Sequence, residues 1–512
     1  MCPLRGPVAG LLCLRCAGSA RAWPTPVTRF AAPRAVNARN VRTVRLGVVS
    51  LCLVQFVDVL GVTVMVTALP AMLAELRAAP DAASLISTGY AMFFGGLLMF
   101  GARLGDRFGH RRIIMSGLAI FTMAAVVGAT APSAVVLTAA RCLQGGAAAL
   151  SVPSALRLLT TITSDGPQRE RAIAAWSASG AAAGASGFVV GGLVTFLAGW
   201  RAVFWAYLPL AVLLAAAIAR AVPPDRAGDR SVRLSLPSVS AFTVAVMAFV
   251  VATTLLPQSG KTVLGAALLA VAAVLAGLFI VIDRRSAAPL LPRAVLAERR
   301  LRQGAAGALL NTLTTSSAIT LATLYLQNTR GHSPLVGGLM LLPFSLAVIV
   351  GAACAAPALA RWPPQRLVCS GLAIIAVSDA ALIPAASSAW ALPVCVAVCG
   401  AGIGLSSVAA TRLGTSVPVA ARGTASGIIN TAAQLGTALG IATLLLVAAL
   451  STGIPDRGSP VPAIAWGLAA AISGAGAVFF GFQSTGDATA FAVTAGGRNS
   501  ANTGSGHSKP QA

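Results

Sequence analysis

Residues 107–120 read RFGHRRIIMSGLAI, and residues 361–374 read RWPPQRLVCSGLAI. Both are a basic loop running into the same apolar start, 254 positions apart. At an offset of 255, Gly145 falls on Gly400, Ser151 on Ser406 and Arg157 on Arg412. The chain is therefore two related halves. Apolar runs extend outward from these loops at 46–69, 84–102, 112–130, 133–156, 171–197, 202–221, 236–256, 262–282, 303–326, 335–356, 366–386, 389–411, 423–450 and 461–483. Runs one to six repeat as runs nine to fourteen, with runs seven and eight inserted between them. Parallel six-helix halves predict a site between them near mid-membrane.

Composition agrees. Of 512 residues, 57% are apolar and 10% are charged, and the mean hydropathy is +0.83. Soluble chains carry about 25% charged residues. So much apolar surface cannot be hidden in soluble cores, and it excludes disorder over most of the length. The runs are continuous rather than alternating, which excludes a transmembrane β-barrel. The expectation is an all-α membrane protein with 14 transmembrane helices arranged 6+2+6.

The net charge of +24 invites a nucleic-acid reading. The basic residues lie in loops between apolar runs, not on one aromatic-laced face, so no nucleic-acid partner is expected. With the amino terminus inside, cytoplasmic segments hold 31 basic residues. The outer segments hold five: Arg77, Arg201, Lys261, Arg330 and Arg457. That asymmetry predicts a cytoplasmic-membrane protein with both termini cytoplasmic. Trp200, Trp205 and Trp390 fall where outer interfacial anchors belong. The expected organisation is a disordered basic tail over 1–45, a six-helix half over 46–221, and two inserted helices with linkers over 222–300. A second six-helix half follows over 301–483, then a disordered tail over 484–512. The inserted pair carries no embedded charge and reads as peripheral, with 283–302 touching anionic lipid.

No catalytic set is visible. Cys13 and Cys16 have C-x-x-C spacing but no second pair. His110, His332 and His507 fall in loops or the tail. No metal site, cofactor or ATP loop is expected. The chain does not read as an enzyme.

Residues 101–112, GARLGDRFGHRR, resemble the loop motif of the major facilitator superfamily between its second and third spans. RCLQGGAAA at 141–149 is similar to the span-four motif of its drug–proton antiporters, and GASGFVVGG at 184–192 to their span-five motif. VTALP at 66–70 resembles the end of the span-one motif in the fourteen-span drug exporters. The resemblance covers about residues 46–483. It implies the major facilitator fold and export of a drug, antibiotic or other small amphipathic compound, driven by exchange with protons.

In the loop, Gly101, Gly105 and Gly109 permit close packing and a tight turn. Arg107, Arg111 and Arg112 supply positive charge on the cytoplasmic side. The resemblance implies that Asp106 latches the halves there; the repeat has Ala360 at that place. Arg141 and Gln144 share a face of run four, and an arginine at a helix centre costs about 2.5–3.5 kcal/mol on insertion scales unless it meets a cavity or partner. Asp58 lies in the middle of run one and reads as a proton site. Similar exporters carry the acid three residues later, where this chain has Gly61. Asp379 in run eleven belongs to a supporting helix. Gly180, Gly184, Gly187 and Gly191 form a smooth stripe on run five, and Gly192 is a further helix-packing position. The family motif has proline where this chain has Phe188. Asn311, Asn430 and Gln434 are candidates to line the cavity. The expected partners are substrate, protons and lipid, and the expected state is a monomer. The alternatives are proton-coupled uptake or facilitated transport of a metabolite, and a non-transporting membrane sensor or scaffold.

Overall fold

A bilayer offers no water to backbone amides, so each apolar run must satisfy its hydrogen bonds internally as a helix. The computed structural model describes residues 40–502 apart from 79–81, 165, 225–234, 259, 287–288, 292, 389, 419–421 and 453–461, with side chains as far as Gln483. The tail features at 1–39, including Cys13 and Cys16, lie outside the described residues, as do Arg457 and 503–512.

Among the described residues, fourteen long helices coincide with the fourteen runs. The first half holds α1 (Asn40–Glu75), α2 (Ala82–Phe108), α3 (His110–Ala129), α4 (Ala134–Ile162), α5 (Pro167–Ala198) and α6 (Arg201–Ala221). The inserted pair is α7 (Leu236–Leu255) and α8 (Thr262–Arg285). The second half holds α9 (Arg299–Leu324), α10 (Pro334–Arg361), α11 (Pro364–Ala385), α12 (Ala391–Gly414), α13 (Arg422–Thr452) and α14 (Ala463–Asn502). A single turn, Arg293–Leu296, precedes α9, and a π-helical turn, Tyr325–Thr329, follows it.

Among the described residues, twelve helices are long and apolar enough to cross a membrane, or thirteen if the bent α5 is one span. The expected fourteenth is α9, which is rich in Ser and Thr. Its hydroxyls bond back to its own backbone or across to α13, as Thr312 does to the Ala433 carbonyl at 2.6 Å. It packs among α12, α13 and α14, so its surface faces protein and need not be apolar.

The halves repeat in space. α4 packs on α2 and α3, and α3 on α6; eight helices later, α12 packs on α10 and α11, and α11 on α14. Between halves, α2 meets α13 and α5 meets α10, which exchanges partners as a two-fold relation demands. Close approach is set by matched glycines. A Cβ on Gly145 would stand 2.1 Å from the Tyr90 carbonyl oxygen, and one on Gly400 would stand 2.1 Å from that of Phe344.

Two expectations need correction. The inserted pair is not merely peripheral. α7 packs on both α2 and α13, where Val246 and Val250 join Met92, Ala438 and Ala442 in one cluster. Trp200 is not an interfacial anchor. It is 1% exposed, and its indole N–H donates to Glu75 at 2.6 Å. Trp205 and Trp390 are exposed.

Candidate functional site

Asp58 projects from α1 towards α3, α4 and α6, among Val54, Leu118, Phe121, Ser151 and Leu214. It is 7% exposed. It does not line the cavity between the halves, as its place on a pathway helix suggested. Tyr90 of α2 makes the connection. Its hydroxyl donates to Asp58 Oδ1, and its ring carries the Arg141 guanidinium 4.7 Å from the centroid. Arg141 Nη1 donates to Gln144 Oε1 at 3.0 Å, one turn along α4. Asp58 and Arg141 form no direct ion pair; the tyrosine stands between them. A desolvated cation over an aromatic face gains about 2 kcal/mol, which offsets part of the cost of burying Arg141.

Gly61 helps to explain the displaced acid. A Cβ there would meet the Tyr207 hydroxyl at 3.6 Å. That hydroxyl is buried and has no hydrogen-bond partner. A carboxylate at 61 would face Tyr207; the carboxylate at 58 takes Tyr90 instead.

Between the halves lies a cavity of about 350 Å³. Tyr90, Arg141 and Thr63 face it from one half, and Thr315, Ser316 and Ser345 from the other. Arg141 is the only charged side chain on its wall. One helical turn further along α1, α2, α9 and α13 is a vestibule of about 580 Å³, on the side away from the 101–112 loop. Thr253 and Thr254 of α7 contribute to it. Towards the 101–112 loop the halves close, with Gln434 seated against Gly95 and Met99 beside Gly427.

The remaining candidates divide. Ser406 donates to Asn311 Oδ1 at 2.8 Å, so this amide ties α9 to α12 and does not line the cavity. Gln434 packs at the seam and Asn430 is exposed; neither lines the central cavity. On α5, Gly187 faces Thr63, Gly191 faces Thr67 and Val64, and Gly180 faces Gln55 of α1. Gly184 is the loosest, with Val59 at 3.9 Å, and Gly192 lies against Pro334 of the other half. α5 bends by 41° between Gly184 and Ser186 without the family's proline, and Phe188 just beyond packs edge-on against Phe344 across the seam.

In the loop, Gly109 has φ +95°, which favours glycine, and a Cβ on Gly101 would stand 2.0 Å from the Ala149 carbonyl oxygen. Gly105 abuts the His110 ring. Asp106 pairs with His110 of its own half at 3.2 Å. Arg107 lies over Phe108, Arg111 donates to the Ala219 carbonyl at 2.6 Å, and the Arg112 carbonyl accepts from Ser116. Asp379 is fully buried, with the Cys399 thiol as donor at 3.8 Å. Among the described residues no group of His, Cys, Asp and Glu could hold a metal ion.

Sequence reasoning missed Tyr90 and Tyr207. The signal was available, since the chain has only three tyrosines and all three lie inside predicted spans.

The model of the Major Facilitator Superfamily matches residues 51–441. This chain belongs to that superfamily. It is a multi-pass membrane transporter and not an enzyme. Cephamycin export protein CmcT of Amycolatopsis lactamdurans is 33% identical over 428 residues, covering 82% of this chain and 87% of that protein. Puromycin resistance protein pur8 of Streptomyces alboniger is 32% identical, covering 81% and 84%. Multidrug efflux pump LfrA of Mycolicibacterium smegmatis is 30% identical, covering 75% and 76%.

Proposed function

We propose that this transporter exports an antibiotic or other small amphipathic compound across the cytoplasmic membrane in exchange for protons. The observation that carries the reading is the buried Asp58–Tyr90–Arg141 chain, whose far end forms a wall of the cavity between the halves. The relatives named for export and resistance supply the substrate class and the direction. The basic-residue asymmetry supports fourteen spans with both termini in the cytoplasm.

Asp58 is the proton site. When ionised, it accepts the Tyr90 hydroxyl. When protonated, it no longer needs that donor, and the hydroxyl is released towards the cavity. Substrate and proton therefore share no atom; Tyr90 and the guanidinium above it carry the coupling. Asp58 takes its proton with the cavity open to the outside and loses it when the cavity faces the cytoplasm. An inward-moving proton gains about 2.3 kcal/mol per 100 mV of membrane potential.

The test uses everted vesicles with a pH-quenched dye and a panel of antibiotics, biocides and dyes. Dequenching by one compound, lost with Asp58→Asn at equal expression, is expected. Proton-independent flux of that compound, unchanged in Asp58→Asn, would overturn the exchange reading.

A further inference from the structure

The chain after α8 does not trail away from the bundle. Asp283, in the last turn of α8, is 4% exposed. Its Oδ1 accepts the Leu290 N–H at 2.6 Å, and its Oδ2 accepts the Leu291 N–H at 3.1 Å. Arg103 of α2, inside the 101–112 motif, donates to the Pro289 carbonyl and has Asp283 and Asp106 as electrostatic neighbours. These contacts hold 289–291 against the last turn of α8 and the motif end of α2. Leu291, Val295 and Leu296 then join one apolar cluster with Met99 of α2, Leu301 and Ala308 of α9, and Ile428 of α13. The linker thus touches both halves at the end that is closed. Above it lies an apolar cavity of about 150 Å³ bounded by Gly95, Phe242, Phe279, Leu296, Leu309 and Ile428.

For substrate to pass between the central cavity and the motif end, α2 and α13 must part there. A segment anchored to α2 by Arg103 and packed on α13 through Leu291 and Leu296 cannot keep both contacts during that step. We propose that the described parts of the linker, 289–291 and 293–296, form the gate holding the halves together at the motif end, and that Asp283 is the positioning residue that sets it. Asp106, whose described partner belongs to its own half, leaves this place to the inserted pair's connector. The inference rests on the alternating-access exporter reading, and it gives the inserted helices a task in the cycle.

The test uses the full-length protein in proteoliposomes, in a transport-competent background lacking native cysteines. Met99→Cys of α2 and Leu296→Cys, neighbours in the same apolar cluster, are bridged with a short, reducible bifunctional thiol reagent. Transport is expected to fall at least tenfold and to return on reduction. The same bridge between Leu301→Cys and Ile428→Cys, both within the second half, leaves transport within twofold. Bridged 99–296 protein that transports at the unbridged rate overturns the gate. A second readout needs no substrate. Asp283→Ala is expected to speed labelling of a thiol at the seam, Gln434→Cys, at least tenfold. Asp283→Asn, which keeps one acceptor oxygen, lies between. Unchanged labelling in Asp283→Ala refutes the positioning role. Failure of the unbridged protein to move any compound would count against the exporter reading instead, and the labelling result would still decide the gate.

Discussion

Gly145→Ala tests whether the α2–α4 approach sets the geometry of the proton site. The new Cβ would stand 2.1 Å from the Tyr90 carbonyl oxygen and 2.9 Å from its carbon. An ordinary carbon–oxygen contact is about 3.3 Å, so α2 must retreat by roughly 1 Å. Overpacking of this kind costs about 1–3 kcal/mol, and replacing a helical glycine by alanine returns about 1 kcal/mol. The net loss of stability is therefore about 0–2 kcal/mol, small for a bundle this large. Transport responds more sharply, because the residue displaced is the hydroxyl between Asp58 and the cavity. A 1 Å misplacement costs about 100-fold in rate where alignment matters. The repeat supplies the control. Gly400→Ala makes the same clash with the Phe344 carbonyl, at 2.1 Å, but Phe344 carries no polar group. Thermal stability and substrate-driven proton flux in proteoliposomes would be measured for both. Similar melting shifts are expected, with Gly145→Ala at least ten times slower than Gly400→Ala. Equal transport by the two variants, or wild-type values for both, would refute the claim that the approach of Tyr90 controls the coupling.

Other outcomes follow from particular contacts. Gly277 has open space around it, so Gly277→Ala should leave transport intact and raise stability by up to about 1 kcal/mol in a melting experiment. Asn311→Ala removes one acceptor of the Ser406 hydroxyl inside the second half, and the Gly402 carbonyl at 2.8 Å remains as another. It should cost about 0.5–1.5 kcal/mol, read as a lower melting temperature, without changing the order of preference among substrates. Glu75→Gln keeps one acceptor oxygen for the Trp200 indole and loses the half-exposed ion pair to Arg201 at 2.6 Å. A loss below about 1 kcal/mol and unchanged flux are expected. Tyr90→Phe keeps the ring under Arg141 but removes the hydroxyl bonded to Asp58. Substrate binding measured by equilibrium titration should stay within about threefold, while proton-coupled flux falls more than tenfold.

The fold was legible because a bilayer permits few solutions. Continuous runs must be helices, and the 254-residue repeat implies paired halves. The site was legible only in part. Arg141 and Gln144 share a helix face three residues apart, and the structure bonds them directly. The direction in which Asp58 points depends on which helices surround α1, and a single helix pattern does not contain that. Tyr90 reaches Asp58 across helices because Gly145 lets the α2 backbone approach α4, an effect of packing rather than of local sequence. Asn311 looked like a cavity amide from its repeat position, but its partner, Ser406, lies 95 residues away. The inserted pair looked peripheral because it bears no embedded charge. Its contacts with α2 and α13 are apolar and leave no mark in a charge pattern.

The central claim is that protons and substrate move in opposite directions through one cycle that requires Asp58. The most direct measurement imposes a pH gradient on proteoliposomes holding equal substrate on both sides, and follows the substrate. The account predicts substrate accumulating on the acidic side, against its own gradient, with no accumulation for Asp58→Asn. Accumulation on the alkaline side, together with the protons, or mere equilibration at any pH gradient, would contradict it.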